Sequence, residues 1–398
     1  MANPISQRLA RHPEAGAFVG FIAVFLFFAA LTPDTFLSGR SAASVLTSQA
    51  IPGIVALGVA LLMISGEFDL SVGSILGVAS LVFLELATHE VSPLAAASAG
   101  VAAGCFMGLI NGLLLVWTRI PSFIITLGTL LVFRAICLTA ISGGRIVRWS
   151  DVSRTDPVVL VPGLVTLALC IAVAVVLLWT ARDLGRYRPQ NRFTLGLSRL
   201  GAGGCLLATV AVLGWSLGAG IFEPWVIDLF GVLNGRIDIG AAAGNFRMSI
   251  IWWLVLAALF HLLLTRTRFG NAVFATGGHG EAARAQGVDV DRTRVISFVI
   301  CGGLAALAGV LQVCRLKSVD PLRGEGLELE VIAAVVIGGT LLKGGYGSII
   351  GAVVGTALTG MLRTGLVLSG VPSNAFRGAI GALVIIAVII NTLVRRQR

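Results

Sequence analysis

Leu94–Thr118, "LAAASAGVAAGCFMGLINGLLLVWT", runs for more than twenty residues without a charge, and it is one of about twelve such stretches in the chain, each near the roughly 20 residues a helix needs to cross a bilayer core. No other feature constrains the fold as tightly. Inside lipid every backbone N–H and C=O must find a partner within the protein, so only helices and closed barrels can span. The runs are continuous rather than alternating in polarity, which selects helices. They begin at Ala15, Ala42, Leu70, Leu94, Phe123, Pro162, Leu200, Ser249, Val295, Leu327, Tyr346 and Phe376. With 57% hydrophobic and 12% charged residues, the chain holds more apolar surface than a soluble core could hide. The expected fold is therefore all-α: a polytopic membrane bundle of about 10 to 12 transmembrane helices.

The net charge of +10 would suggest nucleic acid in a soluble protein, but here the placement of the charge matters more than its total. Placing the amino terminus in the cytoplasm puts Arg8, Arg11, Arg119, the Arg-rich stretch from Arg182 to Arg199, Arg266–Arg294, Lys343 and Arg395–Arg398 on one side, as the positive-inside rule requires. Lipid, and not nucleic acid, is the expected surroundings, with both termini cytoplasmic. The organisation that follows is a cytoplasmic segment 1–14 with an amphipathic piece, a first helix group 15–181, and a central part 182–248. That central part holds an Arg-rich linker, one span and an external loop. A second helix group 249–394 contains a cytoplasmic loop 266–294, and 395–398 form a cytoplasmic tail. "GSILG" at Gly73–Gly77 is echoed by "GSIIG" at Gly347–Gly351, and "IPS" at Ile120–Ser122 by "VPS" at Val371–Ser373, a faint sign of repeated halves.

Two breaks interrupt the apolar pattern. "SGEFDLSVGS", Ser65–Ser74, sets Glu67 and Asp69 between two runs, and "GGTLLKGGYGS", Gly338–Ser348, crowds glycines around Lys343. A charge at the bilayer centre costs about 2.5 to 3.5 kcal/mol, so such residues should face water, another charge or an interface. Asp69 and Ser71 have a second reading as the cap of the helix that follows. Asn111, Arg134, Gln312 and Arg363 are further polar positions in apolar surroundings; with Glu67, Asp69 and Ser71 they are the candidates to line a passage or to bond neighbouring helices. The 50 glycines suit close helix packing, and the six cysteines, without CxxC spacing, suit the same role. No metal site is expected.

Nothing in the chain points to catalysis: there is no HExxH or GxSxG, and the four histidines are scattered. A phosphate-binding loop needs Gly-Lys-Ser/Thr; of the two lysines, Lys317 follows Leu316 and Lys343 precedes Gly344. Energy must come from an ion gradient, as in a secondary carrier, or from another chain.

The most hydrophilic stretch, "GGHGEAARAQGVDVDRTR" from Gly277 to Arg294, predicts a helix of two turns at most over Glu281–Gln286. Glycines free its start, Gly287 ends it in the left-handed conformation, and Asp289 or Asp291 caps the next helix. A short rigid helix tied to spans on both sides is suited to pass a push from a partner into the membrane.

The run "GNAVFATGGHGEAARAQGVDVDRTRVISFVI" resembles the coupling-helix region of the permease subunits of bacterial ABC importers for monosaccharides, the ribose and xylose type. So do "ALGVALLMISGEFDLSVGSILG" (Ala56–Gly77), "INGLLLVWTRIPSFIITLGTLLVFRAI" (Ile110–Ile136) and "VIGGTLLKGGYGSIIGAVVG" (Val336–Gly355). The long part between the halves is more like the xylose-type members. The resemblance implies an inner-membrane permease working as a homodimer, with a periplasmic sugar-binding protein above and a cytoplasmic ABC ATPase below. No cofactor belongs to this chain, since ATP and Mg would sit on the ATPase. The docking element it implies falls on Glu281, Ala282, Ala283, Arg284 and Gly287. Lys343 and Tyr346 stand where relatives usually carry small residues.

Overall fold

The computed structural model describes residues 14–89, 91–141, 144–152, 158–161, 225–237, 244–372, parts of 375–389 and the isolated positions 178, 182, 206 and 210. The amphipathic segment before Glu14, the spans expected from Pro162 and Leu200, the Arg-rich linker and the last residues lie outside the described residues, positions 178, 182, 206 and 210 apart.

The chain divides into two compact units, residues 1–156 with 230–398, and Pro157–Leu229. Within the smaller unit, β2 (Val158–Val161) pairs antiparallel with β3 (Trp225–Asp228), Val158 opposite Asp228 and Val161 opposite Trp225.

The larger unit is helical. Helices α1 (Ala15–Leu31) and α2 (Pro33–Phe36) lead into α3 (Gly39–Ile64); α4 (Val72–Thr88), α5 (Pro93–Thr118) and α6 (Ser122–Ala140) follow. After β1 (Val147–Arg148) and α7 (Trp149–Val152) come α8 (Leu229–Asn234), α9 (Met248–Arg266), α10 (Arg268–Gly278), α11 (Gly280–Ala285) and α12 (Val290–Leu316). The series closes with β4 (Ser318–Val319), α13 (Leu327–Ile337) and α14 (Ile349–Leu368). Among the described residues, α3, α5, α6, α9, α12 and α14 are long and apolar enough to cross a membrane, and α1 and α4 are shorter apolar helices. The protein is a polytopic helical membrane protein.

The core gathers around α3, whose residues from Ile54 to Ile64 are fully or almost fully buried. Its neighbours approach closely because small residues face one another: a Cβ on Gly108 would lie 2.3 Å from the Phe298 carbonyl oxygen, and one on Gly302 2.3 Å from that of Gly104, so α5 and α12 touch backbone to backbone. In lipid, where water supplies no drive for helices to associate, such contact is what holds them. Cys137, Cys301 and Cys314 are buried and unbridged. Helices α6 and α9 bury little and expose Phe123, Ile124, Leu131, Leu254 and Leu259, an apolar surface suited to lipid.

The run expected to span from Leu327 behaves differently. Helix α13 is 11 residues long, about 16 Å, and stops at Gly338 because Gly339 turns into the left-handed region at φ 91°. It is a half-length helix joined by the glycine-rich break to α14. Ser348 caps α14, accepting a hydrogen bond from Gly351 N at 3.3 Å. The two echoed motifs thus both lie at helix starts, "GSILG" on the first turns of α4 and "GSIIG" across the cap of α14.

Candidate functional site: a transmission junction and a charged cavity

The short hydrophilic helix forms as its local chemistry dictates. His279 Nδ1 accepts the Ala282 N–H at 3.2 Å and opens α11. Val288 N donates to Ala283 O and Gly287 N to Arg284 O, both at 3.0 Å, the paired closure that needs a left-handed residue at Gly287, which has φ 84°. Asp289 caps α12 by accepting from Arg292 N at 3.0 Å, while Asp291 bonds Arg284 across the turn. Glu281 in the first turn and Arg284 in the last match the helix dipole. Of the residues singled out from sequence, Glu281, Ala282, Arg284 and Gly287 are exposed, whereas Ala283 is 5% exposed and faces the protein. Ala282, Ala285 and Gln286 share the outer surface with the two charged residues.

Behind α11, the chain brings together what the sequence kept far apart. Gly277, at the end of α10, lies against both breaks: a Cβ placed there would be 1.9 Å from Ile64 O and 2.6 Å from Gly345 N. Those two atoms are bonded to each other, Gly345 N donating to Ile64 O at 2.8 Å. On the far side of α11, Arg294 Nε stands 2.9 Å from Glu67 Oε1 as an ion pair. Burial pushes the Glu67 carboxyl up from its ordinary range, opposed by the Arg294 charge and by Ser122. The helix is therefore bracketed by two attachments to the Ser65–Ser71 break.

That break is itself held rigidly. Asp69 Oδ1 accepts from Ser71 N at 2.7 Å and Ser71 Oγ at 2.6 Å, and Asn111 Nδ2 donates to Ser71 Oγ at 2.9 Å; all three residues are fully buried. Phe68 N donates to Ser122 Oγ at 3.1 Å, pinning the break to the start of α6. Asp69 thus serves the Ser71 N–H just ahead of α4, and Asn111 ties this pair to α5. Arg134 is half-buried on α6, its Nε 3.3 Å from Ser74 Oγ and its Nη1 3.4 Å from Leu322 O. It ties α6 to α4 and to the loop before α13.

Gln312 belongs elsewhere. It lines a cavity of about 350 Å³ whose other lining includes Ser48 and Pro52 of α3, Arg315, Glu325, Glu330 and Arg363. Arg363 Nη2 reaches both oxygens of Glu330, at 3.1 and 3.0 Å, and its guanidinium sits 4.2 Å from the Phe376 ring centre. From Val290 to Arg315, α12 spans 26 residues, about 37 Å from first to last at 1.5 Å per residue, so the cavity and the junction lie at opposite ends of one helix. Sequence reading singled out Gln312 and Arg363 but missed Arg315 and Glu325, which sit at run ends and look like ordinary flanking charges. It also gave no sign that Arg294 meets Glu67 or that the two breaks touch, because neither contact is local.

A family model described as "Branched-chain amino acid transport system / permease component" matches residues 41–389. The xylose transport system permease protein XylH of Escherichia coli (strain K12) is 32% identical, the alignment covering 100% of this chain and 99% of the relative. Its namesake in Haemophilus influenzae is 31% identical over 94% of each chain. The ribose import permease protein RbsC of Escherichia coli (strain K12) is 27% identical over 95% of this chain and 92% of the relative. No solved structure matches.

Proposed function

We propose, from the premise that the chain belongs to the branched-chain amino acid transport system / permease component family, that it is the inner-membrane permease of an ATP-driven importer for a monosaccharide. Xylose or a similar pentose, hexose or polyol is the cargo, in keeping with relatives named for xylose and ribose. The observation that carries the reading is the bracketing of α11 between Gly277 and the Arg294–Glu67 pair. A helix anchored at both ends to one break has no freedom to move without moving that break.

In this reading a cytoplasmic ABC ATPase receives the outer surface of α11 through Glu281, Ala282 and Arg284, with Gly287 shaping the turn. When paired ATPases close on ATP, α11 is displaced, and Gly277 and Arg294 carry the shift to the ends of α3 and α4. The buried Asp69, Ser71 and Asn111 cluster makes the break move as a body, since breaking its buried hydrogen bonds is costly. The spans then exchange outward and inward access, a gating step of the kind that packed helices perform by small sliding motions. A second copy of the permease completes the path, a periplasmic binding protein delivers the sugar, both termini lie in the cytoplasm, and ATP with Mg is held by the partner alone.

The test is a cysteine at Ala282, which is exposed, crosslinked to the cognate ATPase in assembled complexes. Crosslinking that changes with nucleotide supports the reading. Uptake that survives deletion of the ATPase and collapses with an uncoupler would instead mark an ion-coupled carrier.

A further inference from the structure

We infer that the cavity between α3, α12, α13 and α14 is a station for an uncharged sugar, and that the cancellation of Arg315 and Arg363 against Glu325 and Glu330 selects neutral polyols over charged ones. The inference rests on the sugar-permease reading and adds to it the residues that set substrate class.

At about 350 Å³ the cavity stands at the small end of ligand pockets, which run from about 300 to 1,000 Å³, so it suits one monosaccharide rather than a longer chain. Its lining carries two guanidinium groups and two carboxylates, giving no net charge. Carboxylates accept hydrogen bonds from sugar hydroxyls and guanidinium groups donate to them, so both faces of a hydroxyl are served. Arg363 is already oriented by Glu330 and Phe376 and keeps donors beyond those on Nη2. Pro52 adds an acceptor: with no N–H of its own, it leaves the Ser48 carbonyl without the helical donor it would otherwise have, and both residues line the cavity.

Charge balance then becomes a filter. A neutral polyol exchanges water hydrogen bonds for protein ones. A uronate or an amino sugar must bring an ion into a partly enclosed site whose lining charges sum to zero, and gives up hydration without gaining a net counter-charge. Changing one lining charge should open the filter, and its sign should decide for which ligand.

Saturation-transfer NMR on the full-length permease in nanodiscs, with xylose, glucuronate and glucosamine as probes, reads weak binding directly and does not depend on what a binding protein delivers. Wild type should show transfer to xylose and little to the others. Glu330→Gln should raise the glucuronate-to-xylose ratio about fivefold or more, and Arg363→Gln should do the same for glucosamine, a fivefold change being about 1 kcal/mol at about 1.4 kcal/mol per tenfold. The double variant, neutral again, should return to xylose. Because each single change breaks an ion pair, Glu325→Gln, an exposed position, serves as a second route to a net positive lining and should also favour glucuronate. Ratios that do not move, or that move alike for both signs, overturn the inference. If ATP-driven uptake of neutral sugars by the wild-type complex stands while the ratios stay fixed, only the station falls; if that uptake is absent, the permease reading falls with it.

Discussion

Gly277 offers the sharpest perturbation of the junction, because the residue beside it is a control. A methyl group at Gly277 would be placed 1.9 Å from Ile64 O, where a carbon and an oxygen normally stand about 3.3 Å apart or more. One side must retreat by about 1.4 Å. Both neighbours are backbone and cannot rotate away, and the carbonyl to be displaced is the one holding Gly345 N at 2.8 Å. Overpacking costs about 1 to 3 kcal/mol, and losing the hydrogen bond adds about 0.5 to 1.5 kcal/mol, so Gly277→Ala should penalise this arrangement by roughly 2 to 4 kcal/mol. At about 1.4 kcal/mol per tenfold, that shifts the balance between arrangements some 30- to 700-fold. Gly278→Ala meets nothing nearer than 3.9 Å and should be close to neutral. In proteoliposomes with the ATPase and the binding protein, Gly277→Ala should lose sugar uptake while ATP hydrolysis continues, and Gly278→Ala should retain both. Equal uptake by the two variants, at equal amounts of assembled complex, would refute the claim that α11 acts through this contact.

Other perturbations probe the remaining attachments. Glu67→Gln strands Arg294 beside a neutral partner and should cost about 1 to 2 kcal/mol, less than a fully buried pair because Arg294 still reaches water; the exchanged pair Glu67→Arg with Arg294→Glu should recover part of the lost uptake, and a lack of recovery argues against direct pairing. Asn111→Leu removes a donor from the Ser71 and Asp69 cluster and should lower the thermal midpoint of the detergent-purified protein, at about 1.5 to 3 kcal/mol for a bond to a charged group, without changing ATPase docking. Gly287→Ala has open space around it, so only the left-handed backbone at φ 84° resists it, by about 1 to 2 kcal/mol; weaker ATPase binding is the expected readout, with Gly287→Asn milder.

Sequence alone determined that this chain lives in a membrane and crosses it as helices, because the apolar runs are long and continuous and the backbone has no other partner in lipid. It also determined a short helix, read over Glu281–Gln286 and found at Gly280–Ala285, and its left-handed close at Gly287, since caps and closures depend on residues within one turn; between Asp289 and Asp291 as the next cap, the structure takes Asp289. It did not determine that Leu327 opens only a half-length helix, for hydropathy does not register the turn that Gly339 makes. Nor did it indicate which way Ala283 faces, that Glu67 finds Arg294, that Gly277 wedges between Ile64 and Gly345, or that Arg315 and Glu325 share a cavity with Gln312. Those pairings join residues up to a few hundred positions apart, and only the packing of α3 among its neighbours brings them within reach, because a glycine's value as a close contact depends on what lies opposite it in space.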